Sequence, residues 1–236
     1  MKRISWLITG STLSLVLLSL NRLTSLTQGY VLDNQFLRWV DFNAMLPVSL
    51  LYVLFFYLLF AEILSHKAQN QRTIIWLTLL LLFGTYIFGA SSGVHEPMNY
   101  LDTRICNDGQ TVNQLCTIIN FNDEPFGHFL YYIAVIIISL VLLTAELISP
   151  QDKDASTSDK LAVTINGLLA GIGIFLNLAF KHSWLDTSYF IILSLIALYY
   201  TYRTRFRFNT RLLTYYYFLS FVLGTAGTII YKLLTH

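Results

Sequence analysis

Charged residues are scarce in this 236-residue chain: Asp, Glu, Lys and Arg make up 12% of it, while hydrophobic residues make up 55%. Soluble globular domains carry about 25% charged residues, and they cannot bury such an excess of apolar side chains. The mean hydropathy of +0.58 agrees with this. The composition excludes a soluble globule and predicts an integral membrane protein.

Polar residues are also missing from seven continuous stretches of the chain. Each stretch is near the ~20 residues that an α-helix needs to cross ~30 Å of hydrocarbon, and its apolar residues do not alternate with polar ones as they would in a barrel strand. No signal-peptide cleavage site follows the first stretch, which is therefore expected to stay as a helix. We predict an all-α polytopic membrane protein, a seven-transmembrane helix bundle forming one domain, with helices at about residues 6–22, 45–64, 73–93, 126–147, 161–180, 187–203 and 211–231 and a long outer loop at 94–125.

Basic residues are unevenly shared between the connections. If the N-terminus is inside, ten of the 15 Lys and Arg residues fall on the inner side. Cytoplasmic loops carry such an excess. This predicts a multi-pass protein of the cell membrane with its N-terminus inside and its C-terminus outside.

Cysteine is rare, and both cysteines lie in the loop that this orientation places outside. Cys106 and Cys116 would there meet an oxidising compartment, which favours a disulfide that closes the loop. Two unpaired thiols are the alternative.

Small residues mark the fifth stretch. Gly167 and Gly171 have the GxxxG spacing that lets another helix approach closely. Asn166 and Asn177 are expected to form hydrogen bonds across helices, because an unpaired amide in hydrocarbon is costly.

Residues that could carry chemistry gather where the third stretch ends and the fourth begins. Ser91 and His95 are four residues apart and share a helical face, as do Glu124 and His128. Helices joined by one loop are usually neighbours, so these side chains are expected to converge at one membrane face. Four further members complete the candidate site: Ser92, Glu96, Asp123 and, after the fifth stretch, His182.

Imidazole and carboxylate groups in this pattern suggest a divalent metal ion, with zinc first and iron or manganese as alternatives. The metal would lower the pKa of a bound water to near 7 and make it a nucleophile. Glu96 or Asp123 would act as the general base, and Ser91 or Ser92 could donate to an oxyanion. The expected metal ligands are His95, Glu124, His128 and His182.

A structural explanation covers many of the same residues. Asp123 and Glu124 are typical of a helix N-terminus, where they complement the helix dipole and cap free N–H groups. His95 could cap the C-terminal end of the third helix. The sequence leaves both interpretations open.

The serine four residues before a histidine, followed by an acidic residue and a second histidine, faintly resembles the membrane hydrolase superfamily that includes alkaline ceramidases and adiponectin receptors. The resemblance covers about residues 88–128. That family binds zinc through a histidine pair in its last helix, whereas the last apolar stretch here has none, so His182 would have to substitute. Membership is not inferred.

Other templates are absent, since the sequence has no HExxH, no Walker-type glycine loop, no CxxC and no mid-membrane lysine for a retinal Schiff base. The arginine-rich connection at 203–211 favours membrane topology and anionic lipid over nucleic acid.

Two functions remain. The first is a membrane-embedded metal-dependent hydrolase acting on a lipid or lipid-linked substrate at the outer face. The second is a non-enzymatic assembly partner or small transporter whose polar cluster binds a ligand, an ion or a subunit. Transport is the weaker form of the second function, because the stretches hold few polar residues.

Overall fold

The computed structural model describes residues 1–65, 70–107, 113–151, 153–180 and 184–235. The protein is all-α and 85% helical, as predicted, and seven of the described helices are long and apolar enough to span a membrane. These properties are consistent with an integral multi-pass membrane protein. The seven helices are α1 (Lys2–Leu23), α2 (Trp39–Leu64), α3 (Gln71–Cys106), α4 (Gln114–Ile148), α5 (Thr157–Ala179), α6 (Leu185–Arg203) and α7 (Leu212–Thr235).

Apolar side chains cover the outward surfaces of the helices as well as the surfaces where helices pack together. Trp76 is 67% exposed and Tyr86 is 74% exposed, both on α3. Large apolar side chains exposed along a whole helix need a non-aqueous surrounding, because contiguous apolar surface is rarely left in water.

Helices α3 and α4 are much longer than their apolar stretches, so most of the predicted loop at 94–125 is helical. The difference begins at Pro97, which lies inside α3 although proline disfavours helical geometry in the residue before it. A proline inside a helix costs about 3 kcal/mol or more, and burial of the neighbouring Met98 and Leu101 against the disulfide cluster offsets part of this cost.

Four helices contain a π-helical turn, which absorbs one extra residue without ending the helix. In α2 and α4 this turn contains the proline, Pro47 and Pro125 respectively. Each proline lacks a backbone N–H, and the irregular turn accommodates the lost hydrogen bond. For this reason α4 begins at Gln114 and not near residue 126.

The predicted disulfide is present. Cys106 ends α3 and is bonded to Cys116 in the first turns of α4, with Cα atoms 5.6 Å apart. Both cysteines are buried against Ile119. The bond therefore fixes the start of α4 to the end of α3.

The chain divides into two compact units, and its single-domain organisation stays a prediction. The first unit comprises Met1–Leu13, Phe55–Leu79 and Ser139–His236. Within it α5 and α7 meet at glycines: a Cβ atom on Gly171 would lie 3.2 Å from the carbonyl oxygen of Leu219. The close approach predicted from the GxxxG spacing is therefore confirmed.

Polar side chains inside the first unit have partners. Asn166 donates a hydrogen bond to Thr9 Oγ1 of α1 at 2.7 Å, as expected, whereas Asn177 is exposed. The Glu146 carboxylate accepts hydrogen bonds from the backbone N–H groups of Leu213 and Thr214 at 2.9 and 2.8 Å. A carboxylate from α4 thus caps the N-terminus of α7, where the helix dipole favours negative charge.

The second unit comprises Ser14–Leu54 and Leu80–Ile138 and holds the candidate site. The connection between α1 and α2 is pinned to both of its helices. Asn21 donates to the carbonyl oxygen of Val40 at 2.7 Å, and an isolated bridge pairs Tyr30 with Arg38. Tyr100 of α3 donates to the Gln35 carbonyl oxygen, which ties this connection to α3.

Candidate functional site

The candidate site lies where α3 and α4 pack together in the second unit. Ser91 is buried and donates a hydrogen bond to the carbonyl oxygen of Gly127 at 2.8 Å. A Cβ atom on Gly127 would lie 3.1 Å from Cβ of His95 and 3.0 Å from the carbonyl oxygen of Asn122. Glycine at position 127 therefore lets the two helices approach closely at His95, and this contact was not anticipated from the sequence.

His95 and Asp123 form the central pair. Nδ1 of His95 is 3.0 Å from the backbone carbonyl oxygen of Asp123 and 2.7 Å from its carboxylate Oδ1. Both neighbours of Nδ1 are acceptors, so the proton of a neutral imidazole is assigned to Nδ1. The carboxylate makes an ion-pair contact, while the N–H points towards the backbone oxygen. Within the described chain Nε2 of His95 has no hydrogen-bond partner, and it keeps a basic lone pair.

A second imidazole lies beside the first. The ring centroids of His95 and His128 are 5.1 Å apart. Nδ1 of His128 is 3.5 Å from Glu124 Oε2, one helical turn earlier in α4. The Glu124 side chain is 51% exposed, so this contact is a weak surface ion pair. Two imidazoles, each with a carboxylate near Nδ1, therefore face each other at this point.

Glu96 is not available as a free base beside these histidines, because it forms a salt bridge. Its Oε1 accepts from Arg22 Nη2 at 2.7 Å, and the Glu96 side chain is buried whereas Arg22 is half exposed. A buried carboxylate needs such a partner, since an uncompensated charge is costly. Arg22 was not among the predicted site residues, and its position at the end of α1 gave no local signal for this contact.

The hydroxyl groups of both serines contact groups other than the imidazoles. Ser92 Oγ lies 3.1 Å from Ser49 Oγ of α2, while the Ser91 proton is donated to Gly127. Residues 89–93 read G-A-S-S-G and so have GxSxG spacing. A nucleophile elbow requires a strand–turn–helix, but these residues lie inside α3. The spacing does not make Ser91 an exposed nucleophile.

The metal prediction is corrected. Across the part of the chain that the structure describes, no group of three or more His, Cys, Asp or Glu side chains could hold a metal ion. His95 and His128 come together, but Glu124 points largely to solvent and Glu96 is paired with Arg22. His182, the proposed third histidine, lies outside the described residues. A pair of imidazoles falls short of the three protein ligands that catalytic zinc requires.

No family model, no curated protein and no solved structure matches this chain.

Proposed function

We propose that the protein is a membrane-embedded enzyme that hydrolyses a lipid or lipid-linked substrate by acid–base catalysis, without a metal, at the paired histidines His95 and His128. The observation that carries the proposal is the orientation of His95. Asp123 holds its Nδ1–H, which leaves Nε2 as a base. An acceptor at Nδ1 holds a histidine base in the required tautomer. Here that acceptor is the backbone carbonyl oxygen of Asp123, and the Asp123 carboxylate lies beside it.

The proposed step uses water as the nucleophile. Nε2 of His95 removes a proton from water while the water oxygen attacks the ester carbonyl. His128, whose ring lies beside that of His95, donates a proton to the departing alkoxide. One ester and one water thus give one carboxylic acid and one alcohol. A ring separation of 5.1 Å would let a water molecule return the proton from His95 to His128.

The position of the site suggests where the substrate comes from. Helix α3 has 36 residues, about 54 Å at 1.5 Å per residue, which exceeds the ~30 Å of hydrocarbon. The apolar residues 73–93 alone can cross it, so His95 would lie at the membrane boundary. The basic residues favour an N-terminus inside the cell, which would place this boundary on the outer face of the cell membrane.

The test is reconstitution of the full chain into liposomes made from a mixed polar lipid extract, with mass spectrometry of the released fatty acids and head groups. A general base contributes about 10²–10⁴-fold to the rate, so His95→Gln should lower turnover by about that factor. Asp123→Asn should also lower turnover, because it removes the negative charge that stabilises the protonated His95 ring formed in the step.

Ser92→Ala is the matched control, since its hydroxyl contacts Ser49 and not a histidine. It should retain turnover within about threefold. Wild-type liposomes that release no product beyond protein-free liposomes would refute the enzyme. Lipid retention that His95→Gln weakens, without any turnover, would instead support the non-enzymatic binding function.

A further inference from the structure

A cavity in the first unit has four arginines among its thirteen lining residues. It measures about 810 Å³ and lies between the connection that joins α6 to α7 and the segment that follows α4. The backbone N–H of Ala155 donates to the carbonyl oxygen of Asn209 at 2.8 Å, so the two walls are fixed to each other. The cationic residues of the lining are Arg203, Arg205, Arg207 and Arg211.

The charges in this cavity are not balanced by its own residues. Asp154 is the one carboxylate among the described lining residues, against four guanidinium groups. Arg203 lies over the ring of Tyr199 and donates to its hydroxyl. Arg205 and Arg207 are exposed, and no described carboxylate forms a salt bridge with either of them. An anion bound among these guanidinium groups would offset their mutual repulsion.

Arg211 supplies an unsatisfied donor. Its Nη1 is buried and has no hydrogen-bond partner among the described residues, while its Nη2 makes a long contact of 3.4 Å with the carbonyl oxygen of Leu147. Burial lowers the pKa of Arg211, and the nearby Glu146 carboxylate opposes that change. Buried donors are normally satisfied, because an unmade hydrogen bond costs about 1–3 kcal/mol. Arg211 therefore lies at the cavity wall with a donor that no described residue satisfies.

The connection is held in a conformation that ordinary residues avoid. Arg205 and Phe206 have φ angles of 53° and 56°, in the left-handed region that costs L-residues about 1–2 kcal/mol each. The N–H of Phe206 donates to the Thr201 carbonyl oxygen at 3.0 Å and stabilises this turn. Such backbone conformations cluster at ligand-binding sites. Here the turn places the arginines at alternate positions 203, 205 and 207 at the cavity.

The position of the cavity at the ends of α6 and α7 indicates where its anion would come from. Helix α6 ends at Arg203 and α7 begins at Leu212, so in a bilayer the connection would lie among the lipid head groups, where arginines attract anionic lipid. The Phe206 side chain is 60% exposed beside these arginines. An apolar ring next to guanidinium groups suits a phospholipid, which presents acyl chains and a phosphate together.

We propose that this arginine cavity binds the phosphate oxygens of an anionic phospholipid headgroup. The test uses native mass spectrometry of the full chain in neutral detergent, titrated separately with phosphatidylglycerol and phosphatidylcholine. Arg205 and Arg207 are substituted together by glutamine, since both are exposed and neither substitution removes a buried contact. Each basic residue near an anionic surface contributes about fivefold to affinity. The pair R205Q/R207Q should therefore weaken phosphatidylglycerol binding about 30-fold and leave phosphatidylcholine binding unchanged.

The matched control is K2Q/R72Q, which removes two exposed positive charges of the same unit away from the cavity. It should change phosphatidylglycerol binding by less than threefold. Equal losses in the two double variants would overturn the proposal, because they would show attraction to net charge alone. Competition by inorganic phosphate distinguishes a phospholipid headgroup from free phosphate as the bound anion. Displacement of the lipid at millimolar phosphate would overturn the assignment to a phospholipid.

Discussion

Replacement of Gly224 by alanine should separate α5 from α7 and destabilise the protein. A Cβ atom at this position would lie 2.8 Å from the carbonyl oxygen of Gly171 and 3.1 Å from its Cα atom. Real Cβ atoms do not approach a backbone oxygen so closely. Because both contacts are backbone atoms, no side chain can rotate away, and the two helices must move apart.

The size of the effect follows from two opposing terms. Overpacking costs about 1–3 kcal/mol, and a contact with rigid backbone belongs in the upper part of that range. Alanine recovers about 1 kcal/mol of helix propensity over glycine. The expected net loss for Gly224→Ala is therefore about 1–2 kcal/mol.

Gly173 provides the matched control, because it lies two residues from Gly171, which Gly224 contacts. It lies on α5, and a Cβ atom there would meet no atom within 4 Å. Gly173→Ala gains the same helix propensity without the clash, so it should leave stability unchanged or raise it by up to about 1 kcal/mol. The difference between the two variants isolates the steric term, about 2–3 kcal/mol.

Thermal unfolding of both variants in the same detergent, followed by circular dichroism, measures this difference. For chains of 150–250 residues 1 kcal/mol corresponds to about 2–4 °C. Gly224→Ala should therefore melt about 5–10 °C below Gly173→Ala. If the two variants melt together, or if Gly224→Ala melts higher, the α5–α7 backbone contact is not present in the protein.

Two further predictions concern the buried carboxylate and the disulfide. Glu146 accepts three hydrogen bonds, from Leu213 N, Thr214 N and Thr214 Oγ1, and Glu146→Gln replaces one of its oxygens with a donor group. The substitution should lower the free energy of unfolding by about 1–3 kcal/mol, more than Thr214→Val does. An unchanged melting temperature would contradict the cap on α7. Removal of the disulfide by Cys106→Ser should cost about 3 kcal/mol, from the entropy of a loop with a sequence separation of 10. A cysteine placed at the exposed Thr117 should react with a membrane-impermeant maleimide in intact cells, and labelling only after permeabilisation would contradict the predicted orientation.

The candidate site was partly accessible to sequence reasoning. Spacing of four residues placed His95 on one face of α3, and adjacency of consecutive helices predicted that it would meet residues of α4. The partners of the polar side chains in the site were not predictable in this way. Whether Glu96 turns towards the histidines or towards Arg22 depends on where α1 ends in space, and 74 residues separate these two partners.

The prolines show a second limit of local patterns. Pro97 and Pro125 are each typical of a helix boundary, because proline removes a backbone donor and restricts the preceding residue. In the structure both lie within helices. Tertiary burial around the disulfide and the π-helical turn outweigh the local preference, and neither can be read from the residues next to the proline.

The pattern of apolar residues was sufficient to predict an all-α chain with seven helices long and apolar enough to span a membrane. Continuous apolar runs of about 20 residues allow few other structures, since backbone groups in hydrocarbon must be paired within the helix. The cysteine pair and the GxxxG spacing followed from equally local chemistry. Tertiary structure alone decided which polar groups meet. It paired His95 with Asp123 and Glu96 with Arg22, and it gathered arginines around a cavity, because these contacts depend on how helices distant in the chain are placed.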